Sequence, residues 1–317
     1  MMPGSTRNLI HAVARRLGVI VAVLWGAATI AFIAVKLIPG DPVSILSGGE
    51  NVVDAAERAA LVHQYGLDQP LVLQYARYIG NALLGNFGES YQYRQPVIDV
   101  IAEAAGPTLQ LAGSAIIIAL SLAITIALAT AGRRRGLAVT LSGLELILLS
   151  TPVYWIGIVL LSLFSFQLQW FPVTGNDGFA SLVLPAIALS LPLTALLSQV
   201  LRDGLEEALS QPFALTVRAR GVGETLLRFR HGLRHAALAA STLTGTLFAS
   251  TLGGSILTET VFGRSGIGQI TLQAIKTRDM PLVLGLVMLS ACVFVIINLL
   301  VDALYLLIDP RLRRVPQ

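Results

Sequence analysis

Charge is scarce in this chain. Asp, Glu, Lys and Arg make up 13% of its 317 residues, whereas 55% are hydrophobic. A soluble domain ordinarily carries about a quarter charged residues, so water is not the solvent for most of this surface. Cysteine is scarcer still. Cys292 stands alone inside an apolar run, which excludes a disulfide framework and a cysteine metal centre and fits a small buried hydrophobe. Lysine occurs twice, Lys36 after Val35 and Lys276 after Ile275, so the Gly-Lys-Ser/Thr of a nucleotide-binding P-loop is absent. Neither H-E-x-x-H nor G-x-S-x-G occurs. His231 and His235 are spaced to share one helix face, but no third ligand is near in sequence. No catalytic residue and no metal site are expected.

Long apolar runs are what the chain does have. Each bilayer-spanning helix needs about 20 such residues, and the runs place six spans at 17–38, 107–131, 137–166, 182–201, 236–260 and 282–308. The N-terminus looks like a signal peptide, with Arg15 and Arg16 ahead of an apolar core. That core is longer than a secretory one and no small-x-small cleavage site follows, so it reads as a retained first span. Pro152 can kink the third span; Pro185 and Pro192 sit in the fourth. Prolines within spans are tolerated where neighbouring helices satisfy the freed carbonyls, which argues for a packed bundle. The fifth span is rich in Ala, Ser, Thr and Gly; small residues permit close helix approach and place it at the bundle centre.

Six spans put both termini on one side. The segments sharing that side hold 15 of the 22 basic residues, among them Arg7, Arg133, Arg202, Arg218 and Arg311, while the opposite side holds six. The positive-inside rule makes the termini cytoplasmic. An isoelectric point near 9.5 would suggest nucleic acid for a soluble protein. Here the arginines are sorted by membrane side, so lipid is the expected contact and nucleic acid is not.

The domain reading follows: a cytoplasmic N-terminus with the first span over 1–38, an external helical cap over 39–106, and a five-span core over 107–317. The cap shows two helical patterns. In the first, Asp54 and Glu57 form a capping box and Gly66 is the stop. In the second, Pro70 opens the first turn and Leu71, Tyr75, Tyr78, Ile79 and Leu83 share a face.

Ionisable groups within spans carry a functional expectation. Glu145 lies in the third span, Glu259 near the external end of the fifth and Asp302 near the cytoplasmic end of the sixth. Three scattered acids fit structural pairing better than a proton relay. That weighs against an ion-driven secondary transporter, the alternative reading.

One stretch departs from the general shortage of charge. Residues 218–235, RARGVGETLLRFRHGLRH, hold five arginines and half the histidines. Apolar Phe213, Leu226, Leu227 and Phe229 are interleaved with them, as in a helix that packs on a partner while basic groups fix its orientation. Gly221 suits a sharp turn between two short helices.

Taken in order, the motifs resemble a family. RRLGVIVAVLWGAATIAFIAVKLIPGDP, YGLDQPLVLQYARYIGNALLGNFGES, STPVYWIGIVLL, LVLPAIALSLP, GGSILTETVFGRSGIGQITLQAIKTRDMPLVLGLV and NLLVDALYLLIDPRLRR together resemble the inner-membrane permease subunits of bacterial ABC importers for dipeptides, oligopeptides and nickel. IPGDP and the long external segment resemble the B-type subunit. The resemblance implies an all-α fold of the type I importer permease class, a second permease subunit as heterodimer partner, cytoplasmic ATPase subunits, an external solute-binding protein, and ATP bound by those partners with no cofactor on this chain. It also implies that residues 202–235 are the coupling loop that docks on the ATPase, with Phe213, Arg218, Arg220, Gly221, Leu226, Arg230, His231 and Arg234 as its candidate residues. The family pattern is close to Y-V-R-T-A-R-A-K-G, followed by R-H-A-L-R-N-A-L-x-P. Arg218, Gly221, Arg230, His231, Leu233 and Arg234 match it; Phe213, Leu215, Val217, Arg220, His235 and Ala239 depart from it.

Overall fold

The computed structural model describes residues 4–37, 55–64, 68–132 and 135–308. Among them every regular element is helical, apart from one isolated antiparallel bridge between Glu89 and Pro96. The helices are α1 Gly4–Leu37, α2 Ala55–Gln64, α3 Leu71–Leu83, α4 Val97–Thr130 and α5 Arg135–Ser150. There follow α6 Val153–Leu160, running into a π-helical stretch Leu161–Gln167, then α7 Ala180–Ser210 and α8 Pro212–Ala219. The short α9 Glu224–Leu226 leads into a second π-helical stretch, Leu227–Gly232, and on to α10 Leu233–Gly254. The chain ends with α11 Ile256–Val261, α12 Ile267–Lys276 and α13 Met280–Ile308. The expected capping box of α2 lies outside the described side chains, as does its Gly66 stop.

By length and apolarity, four described helices can cross a bilayer: Ala14–Leu37, Val97–Thr130, Ala180–Ser210 and Met280–Leu300. The predicted third span is two helices, Gly136–Ser150 and Val153–Gln167, bent by 100°. Pro152 explains the break: it lacks the N–H that a continuous helix would use, and it holds its own backbone extended at φ −60°, ψ 134°. The predicted fifth span appears as α10 and α11, broken at Ser255. The second span begins ten residues before the expected 107, at Val97, and carries Pro107 inside it.

The chain divides into two units. The first comprises Met1–Ala105 with Ile270–Val295, the second Gly106–Gln269 with Ile296–Gln317. In the first unit, α3 lies along the end of α1. Phe32 meets Tyr75 edge-on at 5.4 Å and stacks on Tyr78 at 5.9 Å, while the Thr29 and Tyr75 hydroxyls are 2.7 Å apart. The start of α13 is pinned to the loop ahead of α4. Asp279 caps α13 by accepting from the Leu282 N–H, and its other oxygen accepts from the Ser90 hydroxyl and the Gln92 N–H. Its charge also helps raise the Tyr93 phenol pKa, after burial.

In the second unit the core is a seam of small residues. Ala119, Ala123 and Ala127 of α4 and Ala131 just past its end form an i,i+4 stripe that packs with Leu197, Leu201 and Leu205 of α7 and Ala236 and Ala240 of α10. A Cβ on Gly204 would sit 3.0 Å from Ala236 Cα. Small residues thus set the α7–α10 spacing, as expected for the fifth span.

Candidate functional site

The first feature of the second unit is the arginine-rich segment. Helix α7 runs on past its apolar part to Ser210, and Pro212 starts α8 at the position where a missing N–H costs nothing. Helix α8 ends in a Schellman turn. The Gly221 N–H donates to the Arg218 carbonyl at 2.9 Å and the Val222 N–H to the Val217 carbonyl at 3.4 Å. Gly221 takes φ +78°, the left-handed value that this turn needs, with no atom within 4 Å of a Cβ built on it. The glycine is therefore there for its backbone and not for space.

Across this turn Arg218 and Glu224 form a two-pronged pair, Nε to Oε1 at 2.6 Å and Nη2 to Oε2 at 3.4 Å. The hydrogen bond from Arg218 holds the Glu224 carboxyl below its ordinary pKa, and the same bond raises Arg218. Both side chains are solvent-exposed, so the pair orients the two short helices more than it stabilises them. Arg228 is buried, and its Nη2 donates to the Gly132 carbonyl just past the end of α4 at 3.3 Å. A cation at a helix C-terminus is favoured by the helix dipole. Sequence reasoning counted Arg228 among the basic residues but assigned it no position; its contact with Gly132 depends on folding.

The remaining candidates separate by exposure. Phe213 is half-buried and stacks on His235 at 4.8 Å. Arg220, Arg230 and Arg234 are exposed and His231 is half-buried. Leu226 is exposed, as are Phe229 and Leu215, whereas Leu227 is fully buried. Leu227 is thus a core residue and not one of the apolar knobs expected from sequence; Leu215 takes its place on the surface. The segment presents apolar side chains among free-standing arginines, held on a frame with internal ties.

The intramembrane acids fall in two places. Glu145 on α5 is buried and forms a bidentate pair with Arg202 of α7, with Nη2 to Oε2 at 2.6 Å and Nη1 to Oε1 at 3.4 Å. Ser198, one turn earlier on α7, donates to the same carboxylate at 2.7 Å. This satisfies the expectation of structural pairing and ties the bent span to the helix that leads into the arginine-rich segment.

Glu259 is wholly buried and takes three donors: the Thr108 hydroxyl at 2.6 Å, the Ser255 hydroxyl at 2.9 Å and the Gln269 N–H at 3.1 Å. Thr108 in turn accepts from the Ile267 N–H at 2.8 Å. Glu259 and Thr108 therefore cap the N-terminus of α12, where free N–H groups favour an anion. Gly266 and Gly268 allow the approach. A Cβ on Gly266 would lie 2.5 Å from the carboxylate, and one on Gly268 would lie 2.5 Å from Ile256 Cα. The run GRSGIGQ wraps an acidic side chain of its own chain. Nearby Arg264 is buried, with burial lowering its pKa and the Glu259 charge acting against that. Asp302 lies outside the described side chains. Among the described residues, no group of three His, Cys, Asp or Glu side chains is placed to hold a metal ion.

Apolar helices long enough to cross a bilayer, a buried carboxylate that caps α12 and a basic segment between two helices belong to a polytopic membrane protein. Residues 116–314 match the family described as binding-protein-dependent transport system inner membrane component, and residues 9–112 match its N-terminal region. Over 311 residues the chain is 35% identical to the glutathione transport system permease protein GsiC of Salmonella paratyphi A, covering 96% of this chain and 99% of that one. The GsiC of Escherichia coli K12 is 33% identical over the same coverage. A chain of the inward-facing MetNI methionine ABC transporter matches 67% of this chain and 96% of its own length, with a TM-score of 0.51 and 16% identity, a likeness of fold. The chain belongs to the inner-membrane permease subunits of binding-protein-dependent ABC importers. It is a multi-pass membrane protein with the type I importer permease fold.

Proposed function

We propose that this permease is the B-type half of a heterodimeric pathway for a peptide-like solute, and that residues 202–235 couple it to a cytoplasmic ATPase. ATP is bound and hydrolysed by the partner ATPase subunits, no cofactor belongs to this chain, and an external binding protein delivers the solute. Both termini and the segment are cytoplasmic. Similarity to GsiC supports a small peptide such as glutathione; these relatives lend no support to nickel. The observation that carries the coupling role is the frame of the segment: a Schellman turn at Gly221 bridged by Arg218 and Glu224, with Leu215, Leu226 and Phe229 exposed beside Arg220 and Arg230. An ATPase-facing surface needs that combination of fixed shape, apolar anchors and orienting charge.

The test is pull-down of the ATPase together with uptake by cells, using Arg230→Glu. The variant is expected to insert and to pair with the second permease, but to lose both ATPase retention and uptake. Full uptake with normal ATPase binding would remove the coupling role. Topology is checked by maleimide labelling in a Cys292→Ala background, where a cysteine at Asp177 is expected to react from outside and one at Ser210 is not.

A further inference from the structure

Helix α3 is apolar on two sides. One side, with Tyr75, Tyr78 and Ile79, is turned to α1 and half-buried. The other has no partner within the described residues: Val72 and Leu84 are 79% and 83% exposed, Leu73 is exposed with them, and Leu83, at the boundary between the two sides, is 82% exposed. Ala76 and Gly80 continue the row between Val72 and Leu84 at steps of four residues, which is one face of a helix. Arg77 and Asn81 lie beside this row.

Contacts with α1 set the depth at which this face sits. Tyr75 meets Thr29 and Phe32, Tyr78 stacks on Phe32, and the Lys36 ammonium donates to Gln74 at 2.5 Å. Residues 29 to 36 are the last two turns of the apolar span Ala14–Leu37, about 10 Å of its length. Helix α3 therefore runs beside the end of a span and not out in the aqueous phase. Lys36 is where a lysine at a span's end reaches the headgroup layer. The exposed α1 residues Ile30, Ile33 and Leu37 flank the same region, so the apolar surface of the span continues onto α3.

The ends of α3 fit that setting. Its last carbonyls are satisfied internally by a Schellman turn, with Gly85 N–H to the Ala82 carbonyl at 3.1 Å, Asn86 N–H to the Asn81 carbonyl at 2.9 Å, and Gly85 at φ +72°. At its start the Leu73 and Gln74 N–H groups both reach the Pro70 carbonyl, at 2.8 and 3.1 Å. A helix in contact with hydrocarbon must satisfy its backbone in this manner. In water the same apolar row would be an adhesive patch.

We propose that the Val72–Leu84 face of α3 is a lipid-contact surface, embedded at the interface of the membrane leaflet that receives the C-terminal end of α1. The external segment is then moored to the bilayer beside the first span by an amphipathic helix, with Arg77 positioned for an anionic headgroup.

The experiment uses the assembled transporter in phosphatidylethanolamine–phosphatidylglycerol nanodiscs. Nitroxide labels are placed singly at Val72, Leu83 and Leu84 in a Cys292→Ala background, with Ile30 as the span reference and Asp177 as the loop reference. Collision rates with oxygen and with a neutral water-soluble nickel chelate are read by power-saturation spectroscopy. Lipid contact predicts mobile labels with an oxygen-to-nickel ratio near that of Ile30 and well above that of Asp177. A ratio like that of Asp177 would place the face in water and overturn the proposal. Low collision with both reagents and an immobilised spectrum would show that another subunit covers the face, and would overturn it equally. Each variant is first shown to support uptake, so that only folded transporter is read.

Discussion

Two stretches of the second unit are built from the same ingredients and work in opposite ways. Both the Glu259 junction and the arginine-rich segment join helices through glycines and a carboxylate. At the junction the carboxylate is buried among three donors, and Gly266 and Gly268 are required because nothing larger fits against it. In the segment the carboxylate of Glu224 is exposed, its partners are Arg218 at 2.6 Å and, more distantly, Arg228 at 3.9 Å, and Gly221 has open space around it but a left-handed backbone. The junction is fixed by crowding, so it cannot move without breaking. The segment is tied across its turn by an exposed pair and packed onto the rest of the unit through Leu227 and Arg228. The junction thus depends on packed volume, and the turn at Gly221 on backbone conformation.

The comparison is broken most directly at Gly268. Its added Cβ meets the Ile256 backbone at 2.5 Å, and backbone cannot rotate aside as a side chain can. Gly268→Ala is expected to cost at least the 1–3 kcal/mol typical of overpacking, roughly, and Gly268→Val to prevent recovery of folded protein. Thermal unfolding in detergent and the monodisperse fraction read this; a wild-type melting point for Gly268→Ala would show that the junction is not crowded. Next in size is the α5–α7 pair. Arg202→Met leaves the buried Glu145 charge without its partner and should cost about 3–5 kcal/mol, whereas Glu145→Leu with Arg202→Met should recover most of that stability. If the double variant recovers stability but not uptake, the pair serves register between α5 and α7 beyond holding the bundle together.

How much of this was legible in the sequence depends on the range of the interaction. Spans could be read because twenty apolar residues in a row leave few alternatives, and Pro152 announced the break in the third. The left-handed turn at Gly221 was visible as a glycine between two short helical patterns. The 100° size of the bend was not, since a proline frees a helix to bend while its neighbours set the angle. Glu145 was recognised as an acid that needed a partner, but Arg202 lies 57 positions away and read as a cytoplasmic charge at a span end. Thr108 gave no sign that it would serve Glu259, because a threonine in a span is ordinarily satisfied by its own helix. Asp279 had a local signal that went unused: Asp-Met-Pro ahead of an apolar run is a helix start.

A smaller effect on stability, with a larger one on function, is expected at Gly221. A β-branched residue there pays for the left-handed backbone, on the order of 1–2 kcal/mol, and its Cβ strikes no neighbour. Gly221→Val should therefore assemble with its partner permease yet lose uptake, as α8 and the stretch from Glu224 lose their mutual orientation. Gly221→Asn, which tolerates the left-handed region better than other residues, should keep part of the uptake. Equal loss in both would mean that the site needs the small size of glycine against a partner, and not its backbone.

The smallest effect is expected at Glu224, where pH sharpens the same comparison. Its folded carboxyl titrates below the ordinary glutamate value because Arg218 donates to the charged form. A depressed acid contributes its share of order above the unfolded pKa and loses it as pH falls through the folded one. The Arg218–Glu224 tie should thus be intact and insensitive to pH from neutral down to the ordinary glutamate range, then loosen below it. Hydrogen exchange of the 213–232 peptide, corrected for intrinsic rate, measures this in the assembled transporter. Wild type should keep constant protection through neutral and mildly acidic pH, and E224Q should show, already at neutral pH, the lower protection that wild type reaches only in acid. High salt should move wild type toward E224Q, since both side chains are exposed and screened. If wild type and E224Q exchange alike at neutral pH and low salt, the pair holds nothing. The rigidity of the segment would then rest on the Gly221 turn and on Arg228 at the end of α4.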